Sequence, residues 1–216
     1  MKKKNIKLIE FMNKAKTASL GKHTSEAWIR DPKHLGFTLA RYKFVSKMFD
    51  KFNLVLEIGA GDGFGSRVVK QNVKELELSD SEKLNIKFYD KKFHKTKYFV
   101  HDPIKKKFTK LYDGIYLLDV IEHIDKKQEN KFLRNIMLSL KKHGVIIIGT
   151  PSLESQKYAS KAAKIGHINC KSFYDLKKTM QKFFYTVFMF SMNDEMIHTG
   201  FYGMSHYLFA VCTNKK

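Results

Sequence analysis

Apolar positions in the first fifty residues recur at helical spacing. They repeat every three or four residues from Ile6 to Ala18 and again from Gly36 to Phe49. This period is typical of amphipathic helices, because side chains three or four residues apart lie on one face. The sequence therefore predicts helices within residues 1–50, which we expect to cap the rest of the chain.

From residue 51 onward, short apolar runs alternate with helical stretches. Five runs of five or six residues have the composition of buried strands, and they are 53–58, 73–78, 97–101, 114–118 and 145–149. Between the last two, Gln128 to Lys142 places its apolar side chains on one face and predicts a helix. Strands that alternate with helices favour a parallel sheet covered on both faces.

The end of the chain departs from this alternation. Ser172 and Asp175 form a capping-box pattern that opens a helix to about Lys182. Two β-rich runs follow, 184–190 and 205–212, with no helix between them, so we expect them to pair antiparallel. The pattern predicts an α/β fold with a seven-stranded, mostly parallel sheet that ends in an antiparallel C-terminal hairpin.

Composition agrees with one domain spanning residues 1–216, divided into a helical cap (1–50) and a core (51–216). The chain is 43% hydrophobic and 29% charged, and no run of about 18 uncharged apolar residues predicts a membrane span. The basic N-terminus leads into polar residues, so we expect no secretory signal. Cys170 and Cys212 form no disulfide framework, which favours the cytoplasm.

The net charge of +20 indicates attraction to phosphate-bearing partners. The 41 basic residues include only four arginines, at positions 30, 41, 67 and 134. Arginine is the usual reader of phosphate forks and base edges. The lysine excess therefore favours a small phosphorylated partner over nucleic acid, which remains the less favoured choice.

The strongest motif, Glu57-x-Gly59-x-Gly61-x-Gly63, follows the first predicted strand directly. Glycines at alternate positions let the backbone turn tightly and approach a ligand closely. The helix that begins after the loop presents free N–H groups to such a ligand. The spacing does not fit the dinucleotide fingerprint G-x-G-x-x-G, because its third glycine position, counted from Gly59, is Phe64.

This motif resembles the signature of class I S-adenosylmethionine-dependent methyltransferases, and the resemblance covers residues 50–216. It implies a Rossmann-like methyltransferase fold, an enzyme, the cofactor S-adenosyl-L-methionine and the product S-adenosyl-L-homocysteine. Three further segments resemble a bacterial subgroup associated with surface-carbohydrate or capsule biosynthesis. They are Arg-Asp-Pro-Lys-His at 30–34, Thr-Pro-Ser at 150–152 and Gly-His-Ile-Asn at 166–169.

The resemblance implies cofactor-binding roles at the strand ends. The three glycines would approach the methionine and ribose parts, and Glu57 would steer the loop and the ammonium group. An acid near the end of the second strand would accept hydrogen bonds from both ribose hydroxyls. We expect Glu77 in this role, with Asp80 as the second candidate.

Two further acids follow the third and fourth predicted strands. Asp102, in His-Asp-Pro, is expected at the adenine amino group. The segment Asp119-Val-Ile-Glu122-His123 resembles the "D-V-x-E-H" segment of small-molecule methyltransferases, which implies that Asp119 lies beside the cofactor. Glu122 and His123 would lie near the mouth of the pocket.

The candidate base and acceptor ligands lie in the last loops, which a parallel sheet brings to the same edge. His167 is the first candidate for the general base, because a neutral imidazole accepts a proton at physiological pH. His123 is the second candidate and His198 the third. Candidate substrate-binding residues are Arg30, Asn169, Asn193 and Asp194. We expect no metal, because no spacing of acids and amides supports one.

Together these observations predict methyl transfer to an oxygen or nitrogen of a small polar acceptor. A sugar or a nucleotide-activated intermediate of surface-polysaccharide biosynthesis fits the lysine-rich surface. Two alternatives remain open. An RNA methyltransferase would lose affinity steeply with salt, and a non-catalytic binding protein on the same fold would show no turnover.

Overall fold

A computed structural model describes residues 2–15, 17–89 and 96–216. Its α-helices are α1 (Lys2–Asn13), α2 (Lys22–Arg30), α3 (Pro32–Met48), α4 (Ser66–Lys70), α5 (Lys83–Phe88), α6 (Lys126–Met137), α7 (Lys161–Gly166) and α8 (Phe173–Gln181). Its strands are β1 (Leu54–Ile58), β2 (Glu75–Asp80), β3 (Lys97–Val100), β4 (Tyr112–Leu118), β5 (Leu140–Pro151), β6 (Phe184–Asn193), β7 (Met196–His198) and β8 (Tyr207–Lys215). Short 3₁₀ turns span Ile121–His123, Glu154–Tyr158 and Tyr202–Met204.

The strands form one sheet in the order β3-β2-β1-β4-β5-β8-β6-β7. The first five in this order are parallel, whereas β8 is antiparallel to both β5 and β6. The predicted α/β sheet with an antiparallel C-terminal hairpin is confirmed.

The sheet of the described residues has eight strands rather than seven. The hairpin loop turns at Asp194, whose φ of 49° is left-handed, and Met196–His198 then pairs with the end of β6. A three-residue strand in a polar loop leaves no periodic pattern to read, which is why the sequence did not predict it.

Helices cover both faces of the sheet, and each face has its own apolar core. Along β1, Val55 packs against residues of α3 and α4, whereas Leu56 packs on the opposite face against α6 and α8. Both side chains are wholly buried. This arrangement explains why the strands read as continuous apolar runs, since a strand covered on both faces has no polar side.

Two helix boundaries differ from the sequence prediction. Helix α6 ends at Met137, not Lys142, because the wholly buried Leu140 begins β5 and pairs with Tyr112. Helix α1 ends at Asn13, short of the predicted Ala18.

The cap predicted for residues 1–50 is formed by α2 and α3, which line the cavity described below. The described apolar side chains of α1 are exposed; they are Ile6, Leu8, Ile9, Phe11 and Met12. Among the described residues, no helix combines the length and the apolar character that crossing a membrane requires.

Candidate active site

A cavity of about 770 Å³ opens at the carboxyl ends of the central strands. Its walls are the glycine loop after β1, the end of β2, the segments after β3 and β4, and the facing sides of α2 and α3. The carboxyl ends of parallel strands are where ligands bind in open α/β sheets. The sequence-predicted cofactor residues Gly59, Gly61, Asp102 and Asp119 line this cavity.

The glycine loop holds three left-handed residues, with φ of 76° at Gly59, 57° at Gly61 and 73° at Gly63. A Cβ at Gly63 would lie 2.7 Å from the ring of Tyr89, and one at Gly59 would overlap Val120. Beside Gly61, by contrast, the nearest atom belongs to the cavity-lining His23, at 3.8 Å. Packing therefore requires the outer two glycines, whereas the middle one leaves open space.

Glu57 lies buried beneath the loop and outside the cavity wall. Its two carboxylate oxygens accept hydrogen bonds from the hydroxyls of Tyr42, at 2.9 Å, and Tyr116, at 2.6 Å. Burial raises the pKa of Glu57 to about 7, although these hydrogen bonds act to lower it. Glu57 is thus held beneath the cavity wall, where its hydrogen bonds fix Tyr42, which lines the cavity.

The structure places Glu77, the first candidate for the ribose, outside the cavity wall. Its carboxylate accepts hydrogen bonds from Lys110 Nζ, at 2.6 Å, and Tyr112 Oη, at 2.8 Å. Burial acts to raise the pKa of Glu77, but these hydrogen bonds outweigh it and hold the pKa below its usual value. Glu77 is held by these contacts on the sheet face, three residues before the strand ends.

Asp80, the second candidate, is the last residue of β2 and lines the cavity. Alternate residues of a strand point to opposite faces, so Asp80 and Glu77 cannot share one environment. Asp80 Oδ2 accepts a hydrogen bond of 3.1 Å from the backbone N–H of Gly61, and Oδ1 accepts one of 2.8 Å from Glu82 N–H. The acid at the strand end is therefore already tied to the glycine loop.

Asp119 combines an unusual backbone with a strong ion pair. Its φ of 56° is left-handed, which is uncommon for a residue other than glycine and typical of functional sites. Both of its carboxylate oxygens accept from Arg41 Nη1, at 2.9 and 3.2 Å. The guanidinium of Arg41 also lies 3.9 Å from the centre of the Tyr207 ring. Arg41 of α3 is therefore positioned by Tyr207 of β8, and Arg41 in turn holds the carboxylate of Asp119.

Two predicted base candidates, His123 and His167, come together with their rings 5.2 Å apart. His123 Nδ1 lies 2.8 Å from the carbonyl oxygen of Gly166, and His167 Nδ1 lies 2.9 Å from Gln156 Oε1. Both partners are acceptors, so each Nδ1 carries the proton and each Nε2 is left unprotonated in the neutral ring. Burial, followed by the charge of His123, lowers the pKa of His167. Of the two, only His123 lines the cavity.

Glu122 precedes His123 in the chain, and its side chain is wholly buried. Its Oε2 accepts a hydrogen bond of 3.0 Å from the Thr150 hydroxyl. Its Oε1 has no hydrogen-bond partner among the described residues and lies 4.0 Å from His123 Nε2. Burial, and then the carboxylate of Asp119, raise the pKa of Glu122.

Two predicted substrate ligands are placed elsewhere. Arg30 is exposed at the end of α2 and pairs with Glu26 one turn earlier, outside the cavity wall. Asn169 is buried, and its amide nitrogen donates to Glu129 Oε2 at 2.7 Å while its oxygen accepts from Lys171 Nζ at 2.8 Å. Its polar atoms are thus used by the buried ion pair between Glu129 and Lys171.

The hairpin loop also lies outside the cavity wall, so the structure does not bring Asn193, Asp194 or His198 to the site. His198 Nε2 bonds to Asn193 Oδ1 at 2.8 Å, and its Nδ1 accepts from the Gly200 N–H at 3.0 Å. Asp194 forms the left-handed turn between β6 and β7. These residues shape the added strand, and His198 has no ring nitrogen left for a proton transfer.

Sequence reasoning missed the link between the glycine loop and the cap. Asp62 accepts hydrogen bonds from the backbone N–H of Thr24, at 2.8 Å, and from its hydroxyl, at 3.0 Å. Asp62 thereby caps the N-terminus of α2 from a distant part of the chain, while Gly21 provides no side-chain cap. No sequence pattern signals a cap supplied across 38 residues.

Comparison with known proteins agrees with this geometry. A family model described as "Methyltransferase domain" matches residues 30–188. No curated protein matches the chain.

Several solved structures share the fold. The N-methyltransferase NodS from Bradyrhizobium japonicum WM9, in complex with S-adenosyl-L-homocysteine, has a TM-score of 0.65 and 15% identity over 87% of this chain and 90% of that one. A TehB-like SAM-dependent methyltransferase from Corynebacterium glutamicum has a TM-score of 0.64 and 19% identity over 89% of this chain and 98% of that one. From its fold, its glycine loop and the family match, the chain belongs to the class I S-adenosylmethionine-dependent methyltransferases.

Proposed function

We propose that this protein transfers a methyl group from S-adenosylmethionine to an oxygen or nitrogen atom of a small polar acceptor. The observation that carries the proposal is one cavity of about 770 Å³ that joins the glycine loop to the wall containing His123. This volume lies in the range of small-molecule sites. Cofactor and acceptor would therefore share one space, as direct transfer between them requires.

The residues at the loop end of the cavity fit the cofactor. The open space beside Gly61 admits a ligand against the backbone. Each Asp80 oxygen accepts one backbone N–H and keeps a further lone pair, so we assign the two ribose hydroxyls to Asp80. Asp102 Oδ1 accepts from the N–H of Ile104 at 2.9 Å, and Oδ2 lies 3.4 Å from the exposed Lys105 Nζ. We assign the adenine amino group to Oδ2, which keeps a lone pair beside this exposed ion pair.

The bound cofactor supplies a methyl group already activated by its positively charged sulfur, so the protein must align the acceptor and accept its proton. We assign the proton to His123 rather than His167, because His123 lines the cavity and its Nε2 is unprotonated. Glu122 Oε1 lies 4.0 Å from that nitrogen. In its charged form, which a neighbouring imidazolium favours, Glu122 would stabilise the positive charge that the ring acquires.

For the acceptor we propose a sugar or nucleotide-activated sugar, as in surface-carbohydrate biosynthesis. Each of the three segments that resemble that subgroup contributes to the site. His34 lines the cavity, Thr150 donates to Glu122, and the Gly166 carbonyl oxygen accepts from His123. The net charge of +20 would attract the phosphates of such a substrate.

The test is an acceptor screen with the purified protein and S-adenosylmethionine, read as release of S-adenosylhomocysteine. The panel contains nucleotide-activated sugars, sugar phosphates and short RNAs. We expect turnover with a small acceptor, and a 10²–10⁴-fold fall in kcat for His123→Ala, the usual contribution of a positioned general base. The control is His143→Ala, which removes an exposed imidazole from β5 outside the cavity.

Other outcomes of the screen would overturn the proposal. Turnover confined to RNA, with affinity that falls steeply with salt, would favour an RNA methyltransferase. Cofactor binding without turnover on any acceptor would favour a non-catalytic binding protein.

A further inference from the structure

We propose that Glu122, His123 and His167 together bind one divalent transition-metal ion at the acceptor side of the cavity. This replaces the sequence-based expectation that the protein uses no metal. The role of the ion rests on the proposed function, whereas its binding is independent of that function and is measured separately.

The three side chains have the spacing of a metal site. One ligand atom from each lies within 4.8 Å of the others, and Glu122 Oε1 is 4.0 Å from His123 Nε2. Ligand atoms around a tetrahedral Zn²⁺ lie about 3.3 Å apart, given bonds of about 2.0 Å. The ligand atoms would therefore have to approach one another by about 1.5 Å at most to bind Zn²⁺. The side chain of His123 is half-exposed and has room to rotate.

Both histidines are oriented as metal-binding histidines usually are. Such a ring donates one N–H to a protein acceptor, which leaves the other nitrogen for the metal. His123 donates to Gly166 O and His167 to Gln156 Oε1. The orientation of Gln156 is itself determined, because its amide nitrogen donates to the Ser152 carbonyl oxygen at 3.0 Å. Each ring therefore keeps Nε2 available for a metal ion.

Glu122 provides an independent indication of a cation. Its side chain is wholly buried, and Oε1 has no hydrogen-bond partner among the described residues. A buried carboxylate oxygen without a partner is costly, because the desolvation of the charged form is not compensated. A cation between Oε1 and the two imidazoles would supply the missing interaction.

The ligand set selects the kind of ion. Two imidazole nitrogens and one carboxylate oxygen suit Zn²⁺, Co²⁺ or Ni²⁺, whereas Mg²⁺ and Ca²⁺ favour oxygen ligands. Three protein ligands leave a coordination position open, as in catalytic zinc sites. Because His123 lines the cavity, that position would face the acceptor. With the ion bound, His123 Nε2 would be a ligand and would no longer accept the proton. The ion would instead bind the hydroxyl or amine of the acceptor and lower its pKa, so that the proton is released to water.

The test is calorimetric titration of Zn²⁺ into tag-free protein that has been treated with EDTA and dialysed. We expect one Zn²⁺ per chain for the wild type and for the control His143→Ala. His123→Ala, His167→Ala and Glu122→Gln should each weaken Zn²⁺ binding about a hundredfold or more. Gln156→Ala, which only frees the His167 ring, should weaken it about 10–100-fold. Mg²⁺ should give no binding at the same concentrations.

S-adenosylhomocysteine titrations on the same samples establish that each variant is folded and separate the two proposals. The wild type failing to bind one Zn²⁺ at micromolar concentrations would overturn the metal site. Equal Zn²⁺ binding by the wild type and by the folded His123→Ala and His167→Ala proteins would overturn it as well. A wild type that binds Zn²⁺ but not S-adenosylhomocysteine would instead contradict the proposed function and leave the metal site standing.

Discussion

At the scale of single residues, position along a strand decides which acid lines the cavity. Glu77 and Asp80 both belong to β2 and both are buried. Glu77 pairs with Lys110 and accepts a hydrogen bond from Tyr112 on the sheet face, whereas Asp80 ends the strand at the cavity. Carboxylates of similar chemistry therefore have different roles, one in stability and one proposed for the cofactor.

This difference predicts that only one of two matched substitutions affects cofactor binding. Asp80→Asn should weaken S-adenosylhomocysteine binding roughly tenfold to hundredfold, because a charge-assisted hydrogen bond contributes about 1.5–3 kcal/mol. Glu77→Gln makes the same chemical change in the same strand and should leave that affinity nearly unchanged. Calorimetric titration of both variants is the measurement. A larger loss for Glu77→Gln would return the ribose to Glu77.

Glu57 predicts a pH dependence of stability. Its pKa is raised from 4.5 to about 7 by burial, so folding favours the protonated acid. The stability it contributes is fully present below about pH 4.5 and is lost as the pH rises through about 7. Relative to Glu57→Gln, which does not titrate, the wild-type free energy of unfolding should fall by about 3 kcal/mol over this interval. Urea unfolding at several pH values measures this free energy for both proteins. The same pH dependence in the wild type and in Glu57→Gln would show that the pKa of Glu57 is not raised by folding.

At the scale of elements, helix starts differ in where their caps come from. Asp125 caps α6, Ser160 caps α7 and Ser172 caps α8, each through a side chain directly before the helix. Helix α2 instead depends on Asp62, which follows β1 and lies in the glycine loop. One wall of the cavity is thus held in place by the loop that forms another.

The cap from Asp62 predicts a local effect of Asp62→Ala. The substitution should destabilise α2 by about 1 kcal/mol, because it removes the acceptor of the Thr24 N–H. Hydrogen exchange should then become faster at residues 22–30, far more than in β1. Asp125→Ala is the matched control and should accelerate exchange at the start of α6 instead. Unchanged exchange in α2 would show that packing alone holds the helix.

At the scale of the whole molecule, ligand binding should be visible as global stability. A ligand at 100 times its Kd adds about 2.7 kcal/mol to the free energy of unfolding. For a domain of this size that corresponds to a rise in Tm of about 5–10 °C. Thermal unfolding with and without S-adenosylhomocysteine should show this rise in the wild type and in His143→Ala.

Gly61→Val should abolish the thermal shift. A branched side chain at a φ of 57° is strained and would occupy the open space beside the loop. Circular dichroism of the variant checks that it is folded. A folded Gly61→Val protein with the full shift would contradict cofactor binding at this loop.

Much of the fold could be read from the sequence because it depends on local periodicity. Alternating apolar runs predicted the parallel sheet and its C-terminal hairpin, and the start of α8 was given by its own cap at Ser172. The three-residue β7 and the boundary between α6 and β5 were missed, since neither leaves a repeat long enough to detect.

The sequence by itself determined the glycine loop and the strand ends that surround the cavity, because both follow from residues adjacent in the chain. Only the tertiary structure decided which side chains meet there. His123 meets Gly166 across 43 residues, and Asp119 meets Arg41 across 78. Hydrogen bonds between distant residues hold Glu77 at Lys110 and Tyr112, and they fix the rings of His123 and His167 at Gly166 and Gln156. They depend on side-chain direction in the folded chain, which no spacing in the sequence encodes.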